Sequence, residues 1–142
     1  MERADYERLI HIRDYCREIR KTLQRYGAAF QNYEADSDYQ RSLAFSILQI
    51  GELASHLSED FRKSTASAIQ WSPIRGMRNV VVHGYEGVDH MVIWETATID
   101  IPVLEKFCDK QIQSVKSQDM AENTKHILRE CPHPEPDDGL EL

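Results

Sequence analysis

Leu43, Ile47, Ile50, Ala54 and Leu57 follow one another at steps of four, three, four and three residues, and that rhythm constrains the fold more than any other feature. Successive residues of an α-helix are turned by about 100°, so steps of three and four return to the same side. A half-buried strand would need alternation by two. The segment therefore reads as a helix with one apolar stripe, opened by Asp36 or Ser37 within the polar run 32–38 and reaching about Leu57. Gly51 inside it costs roughly 1 kcal/mol of helix propensity relative to Ala, which a close approach by another helix would explain.

The rest of the chain follows the same period. Leu9, Cys16 and Leu23 recur at seven, as do Ile12, Ile19 and Tyr26, predicting a helix over 2–26 that stops at Gly27. Arginines at 3, 8, 13, 17, 20 and 25 fill its other faces, either as a solvated surface or as phosphate contacts. Residues 58–70 read as a short helix or an irregular connection. Ser72-Pro73 then signals a helix over about 73–83 that ends at Gly84. Val80 to Val82 alone would suit a strand, but the flanking signals favour helix. Asp89 caps a last helix over about 90–116, with Ile93, Ala97, Leu104 and Cys108 facing inward and Pro102 kinking or dividing it. These elements predict an all-α, antiparallel bundle of four to five helices over residues 1–117. Residues 118–142 form an acidic tail, with a short helix possible over 119–130 and a mobile stretch from Cys131.

Composition narrows the class. A chain of 142 residues, 41% hydrophobic, suits one domain with a modest core. No apolar run approaches the ~20 residues that span a bilayer, and the charged start offers no signal-peptide core. A cytoplasmic location is expected. Cys16, Cys108 and Cys131 make no close pair, which argues for buried bystander thiols over disulfides or a zinc site. The net charge of −7 counts mildly against a general nucleic-acid binder, yet residues 118–142 contribute −5 of it, leaving the body nearly neutral.

The chemistry is concentrated in Arg75, Arg78, Asn79, His83 and Tyr85. An arginine's planar fork holds a phosphate, and a histidine moves a proton near neutral pH. Together they point to phosphodiester chemistry without a metal. Asn79 and His83, four apart, share a helix face, and Arg75 lies one turn back on almost the same line. Arg78 is displaced by about 100° to one flank, and Gly84 swings Tyr85 off the helix end. Arg75, Asn79 and His83 are thus expected to line one groove, with Arg78 and Tyr85 at its margin. Cleaving RNA through its own 2′-hydroxyl needs a base, a stabiliser of phosphoryl charge and an acid. His83 suits base or acid, Arg78 the charge, Arg75 the binding of substrate, and Asn79 the orientation of either. One imidazole does not readily serve as base and acid together, so a homodimer pairing two site helices would supply a second. The same residues also suit a plain polar seam or interface. Glu52 and His56 sit one turn apart without a further ligand pair, so no metal or cofactor is expected.

At these residues the chain resembles a known family. Trp71-Ser-Pro-Ile-Arg-Gly-Met-Arg-Asn-Val-Val-Val-His-Gly-Tyr85, with Gly87-Val-Asp89, Ile93-Trp-Glu95 and the upstream Ile47-Leu-Gln-Ile-Gly-Glu-Leu-Ala54, is similar to the HepT-like branch of the HEPN superfamily over roughly residues 5–115. The resemblance implies a dimeric helical bundle and a metal-independent ribonuclease acting on RNA as the toxin of a toxin–antitoxin pair. It assigns catalysis to Arg78 and His83 with Asn79 in support. It also implies a nucleotidyltransferase antitoxin of the MNT type that silences the toxin by adding AMP to Tyr85. Adding AMP beside His83 would block the groove and occupy the arginine needed by substrate phosphate. The alternative is a non-catalytic helical subunit that presents nucleotides or substrate to a nucleotidyltransferase.

Overall fold

The computed structural model describes residues 1–82 and 89–130, and within them it is entirely helical, with no strand. Helix α1 spans Arg3–Tyr26, α2 Phe30–Ala35, α3 Ser37–Ser55, α4 Glu59–Ser64 and α5 Trp71–Val82. Then follow α6 at His90–Glu95, a π-helical turn at Thr96–Asp100 and α7 at Ile101–Glu130. Residues Met1–Ile112 form one compact unit, and a second begins at Gln113. The all-α bundle expected from the apolar stripes is the fold observed.

Local signals set several boundaries. Gly27 ends α1 at φ 93°, a backbone state that costs a residue without Cβ little. Asp36 opens α3 by accepting hydrogen bonds from the amides of Asp38 at 2.9 Å and Tyr39 at 3.3 Å. Asp89 does the same for Met91 and Val92 at the start of α6. The six-residue α2 is an addition to the expected elements. It carries no repeating stripe of its own, and the fully buried Tyr33 fixes it by ring contacts to Tyr39 and Trp94.

Helix α5 begins at Trp71, two residues before the expected start. The buried indole anchors it, donating from Nε1 to Thr65 Oγ1 at 2.8 Å. Pro73 then occupies the third helical position, where a missing N–H leaves no intrahelical bond unmade. Pro102 divides the last helix as expected, and the structure shows how. Its ring would collide with the carbonyl one turn back in a regular helix. The preceding turn widens instead, and the Ile101 amide bonds to Thr96 O, five residues behind.

The core joins α1, α3, α5 and α7 through Leu9, Ile12, Cys16, Leu43, Ile47, Ile50, Met77 and Leu104, each buried. Helix α3 is its axis, packing on α1 and on α5. Most arginines of α1 are engaged by acidic neighbours. Arg17 pairs with Asp109 at 3.2 Å and Arg20 with Glu105 at 3.3 Å, tying α1 to α7. The thiols of Cys16 and Cys108 lie buried, and burial pushes Cys108 up to about 12 and Cys16 further still.

Candidate functional site

Gly51 determines where α5 sits. A Cβ built there would lie 2.6 Å from the backbone nitrogen of Arg78 and 3.0 Å from its Cβ. Only a residue without a side chain lets the two helices meet this closely, so the glycine inside the apolar stripe has its explanation in packing. The contact falls on Arg78, the arginine to which the sequence assigns the stabilisation of phosphoryl charge.

The neighbour of Gly51 completes the arrangement. Glu52 Oε1 forms an ion pair with Arg78 Nη1 at 3.1 Å, and its other oxygen faces His56 Nε2 at 3.6 Å. The Arg78 side chain remains 47% exposed. A guanidinium has five N–H donors, so one contact to Glu52 leaves a donor edge able to grip a phosphate in bidentate fashion. Glu52 thus orients Arg78 without consuming it. Sequence spacing pairs Glu52 only with His56, as candidate metal ligands. The larger fact is the ion pair across helices, and the glycine beside Glu52 is the one signal of it. Among the described residues, no group of three or more His, Cys, Asp or Glu side chains gathers where a metal could sit.

The expected groove is only partly assembled within the described residues. Arg75 and Asn79 are exposed on α5. Arg75 lines a recess shared with α4, whereas Arg78 reaches toward α3. The two arginines therefore serve different flanks of the helix, and Arg78 has a defined partner where the helical wheel gave it only a margin. His83 and Tyr85 lie outside the described residues.

Comparison with known proteins identifies relatives of the chain. A family profile described as "Ribonuclease HepT-like" matches residues 12–111. The chain is 33% identical over 108 residues to "Putative RNase TTE0752" of Caldanaerobacter subterraneus subsp. tengcongensis, covering 76% of this chain and 94% of that protein. It is 34% identical over 97 residues to "Putative RNase MJ1216" of Methanocaldococcus jannaschii, covering 62% and 79% of the two. It is 30% identical over 94 residues to "Probable ribonuclease HepT" of Thermococcus cleftensis, covering 66% and 76%. No solved structure matches. No helix among the described residues is long and apolar enough to cross a membrane.

Proposed function

This chain belongs to the HepT-like ribonuclease family, and from that premise we propose that it is an RNA endonuclease needing no metal, with Arg78 and His83 as its catalytic pair. The observation that carries the reading is the guanidinium of Arg78, fixed by Gly51 and Glu52 yet half-exposed on the helix that leads to His83. In the proposed reaction His83 takes the proton of the RNA 2′-hydroxyl, and that oxygen attacks the adjacent phosphorus. The bond from phosphorus to the 5′ oxygen breaks, and the leaving oxygen takes up a proton. The products are a 2′,3′-cyclic phosphate and a 5′-hydroxyl. Arg78 stabilises the charge gathering on the phosphoryl oxygens, where a preorganised donor contributes most. Asn79 orients the imidazole or the phosphate, and Arg75 binds substrate to one side.

A second imidazole for the leaving group comes, on this reading, from the partner in a homodimer with the two α5 helices face to face. The protein acts in the cytoplasm as the toxin of a pair. Its antitoxin is a nucleotidyltransferase that places AMP on Tyr85, adding negative charge beside the cation that substrate requires.

The test is degradation of total RNA by purified protein in EDTA. His83→Ala is expected to abolish cleavage and leave the helical fold intact, and Arg78→Ala to reduce cleavage by at least ~10²-fold, the scale of losing one transition-state donor. Unchanged cleavage by His83→Ala removes that residue from the mechanism. Stable RNA with measurable nucleotide binding by the wild type supports the non-catalytic subunit instead.

A further inference from the structure

Arg62 on α4 carries a guanidinium nitrogen, Nη1, that is buried and has no hydrogen-bond partner among the described residues. Burying such a donor unpaired costs stability, and the rest of the Arg62 side chain is only partly buried. Arg62 lines a recess of about 530 Å³ between α4 and the first turn of α5. Lys63 and Arg75 bring two more cations to it, and Ile69, Trp71 and Pro73 give it an apolar wall. Glu59, the acidic residue of the lining, is paired with Lys63 at 3.0 Å. Among the described residues, then, neither Arg62 nor Arg75 has an acidic partner. The walls are fixed ones: buried Asp5 on α1 accepts from the Ser58 amide at 2.8 Å where α4 begins, and Trp71 is pinned to Thr65 where α5 begins.

We propose that this recess is a nucleotide subsite, taking one RNA nucleotide next to the scissile linkage, its phosphate against Arg62 and Arg75 and its base against the apolar wall. Guanidinium groups beside an apolar surface match a phosphate carrying a planar base, whereas an acidic peptide would leave that surface unused. Arg75 precedes Arg78 by three residues, about 4.5 Å along the helix axis and about 60° around it, so a strand laid obliquely across α5 runs from one flank to the other. The proposal rests on the ribonuclease reading and deepens it by naming where substrate extends.

The test compares cleavage of a single-stranded decanucleotide with that of a dinucleotide by the full chain carrying Arg62→Gln. KM on the decanucleotide is expected to rise about tenfold with kcat little changed, and the dinucleotide to suffer a several-fold smaller loss. The log–log salt slope of decanucleotide binding is expected to fall by ~0.7, one phosphate on a single strand. Arg62→Lys should restore part of the affinity. Because Nη1 has no partner to lose and its unpaired burial costs stability, Arg62→Gln should melt at or above the wild-type Tm. Ala66→Glu, an acidic change at an exposed position of the same lining, should repeat the KM effect. Lys21→Gln, an equal change of charge at an exposed position of α1, should not. Equal losses on both RNAs, or an unchanged KM on the decanucleotide, overturn the proposal. If the wild type cleaves neither RNA, the catalytic reading fails, and anisotropy of the labelled decanucleotide decides the recess. Tenfold weaker binding by Arg62→Gln then upholds it, and identical binding overturns it. An acidic peptide bound in an Arg62-dependent way, with RNA affinity unaffected, assigns the recess to a protein partner and also overturns it.

Discussion

Replacing Gly51 by alanine sets two effects of similar size against each other. Alanine is favoured over glycine inside a helix by ~1 kcal/mol. The added methyl would meet Arg78 N at 2.6 Å, with the Arg78 Cβ and Cα at 3.0 and 3.2 Å, where 3.4 Å begins ordinary contact. Two of these three atoms are backbone, so no side-chain rotation relieves the clash and α3 and α5 must part by about 0.8 Å. Overpacking of this kind costs ~1–3 kcal/mol, and a backbone obstacle places it in the upper half. Gly51→Ala should therefore lose ~1–2 kcal/mol net, or about 3–6 °C in Tm at ~3 °C per kcal/mol. The same displacement moves Arg78, and a misplacement near 1 Å costs on the order of 10²-fold in rate, so kcat should fall roughly 50-fold. Gly76 on α5 is the control, because an added Cβ there meets nothing within 4 Å. Gly76→Ala should gain up to ~1 kcal/mol from propensity alone. Urea melts and single-turnover RNA cleavage measure both effects. A Gly51→Ala protein with a midpoint at or above wild type and unchanged kcat would refute the close approach of α3 and α5.

Glu52→Gln keeps the volume but weakens the hold on Arg78, and kcat should fall about tenfold with KM little changed, as for a lost transition-state interaction. Steady-state kinetics that show a rise in KM alone would contradict that positioning role. The buried thiols make a prediction in pH. Folding raises the Cys108 thiol from its ordinary value near 9 to about 12, with Cys16 also raised, so above pH 9 the unfolded chain releases protons that the folded chain keeps. Stability is thus complete below pH 9 and falls as pH rises toward 12, by up to ~1.4 kcal/mol per pH unit for each thiol. Urea midpoints should fall across that range, and Cys108→Ala should flatten their slope against pH. An identical slope in the variant would sink the assignment.

The stripes of α1 and α3 were legible because each residue's neighbours three and four away are local, and Gly27 and Asp36 mark helix ends within the same few residues. Helix α2 was not. Its six residues show no period, and the contacts that stabilise Tyr33 come from α3 and α6. The same limit applies at the candidate site. A helical wheel gives the angles between Arg75, Arg78 and Asn79 but not which helix stands opposite each. That Arg78 faces Glu52 while Arg75 faces α4 depends on how α3 and α4 pack against α5. Gly51 hinted at the first pairing. Nothing in the spacing of Arg62 hinted at the second, since its significance lies in a buried nitrogen left unbonded.

The widened turn at Thr96–Asp100 has a further consequence for how this chain tolerates changes of length. Ile93, Ala97, Ile101, Leu104, Cys108 and Ile112 all point inward, yet from first to last is nineteen residues, one more than five turns of a regular helix. The wide turn absorbs that surplus residue and keeps both ends in phase. Deleting one residue between 96 and 100, with Pro102 replaced, should yield an unbroken helix that still buries Leu104, Cys108 and Ile112. The same deletion one turn later would swing Cys108 and Ile112 toward water. The bulge is thus a splice point, where the chain can gain or shed a residue without scrambling what lies beyond.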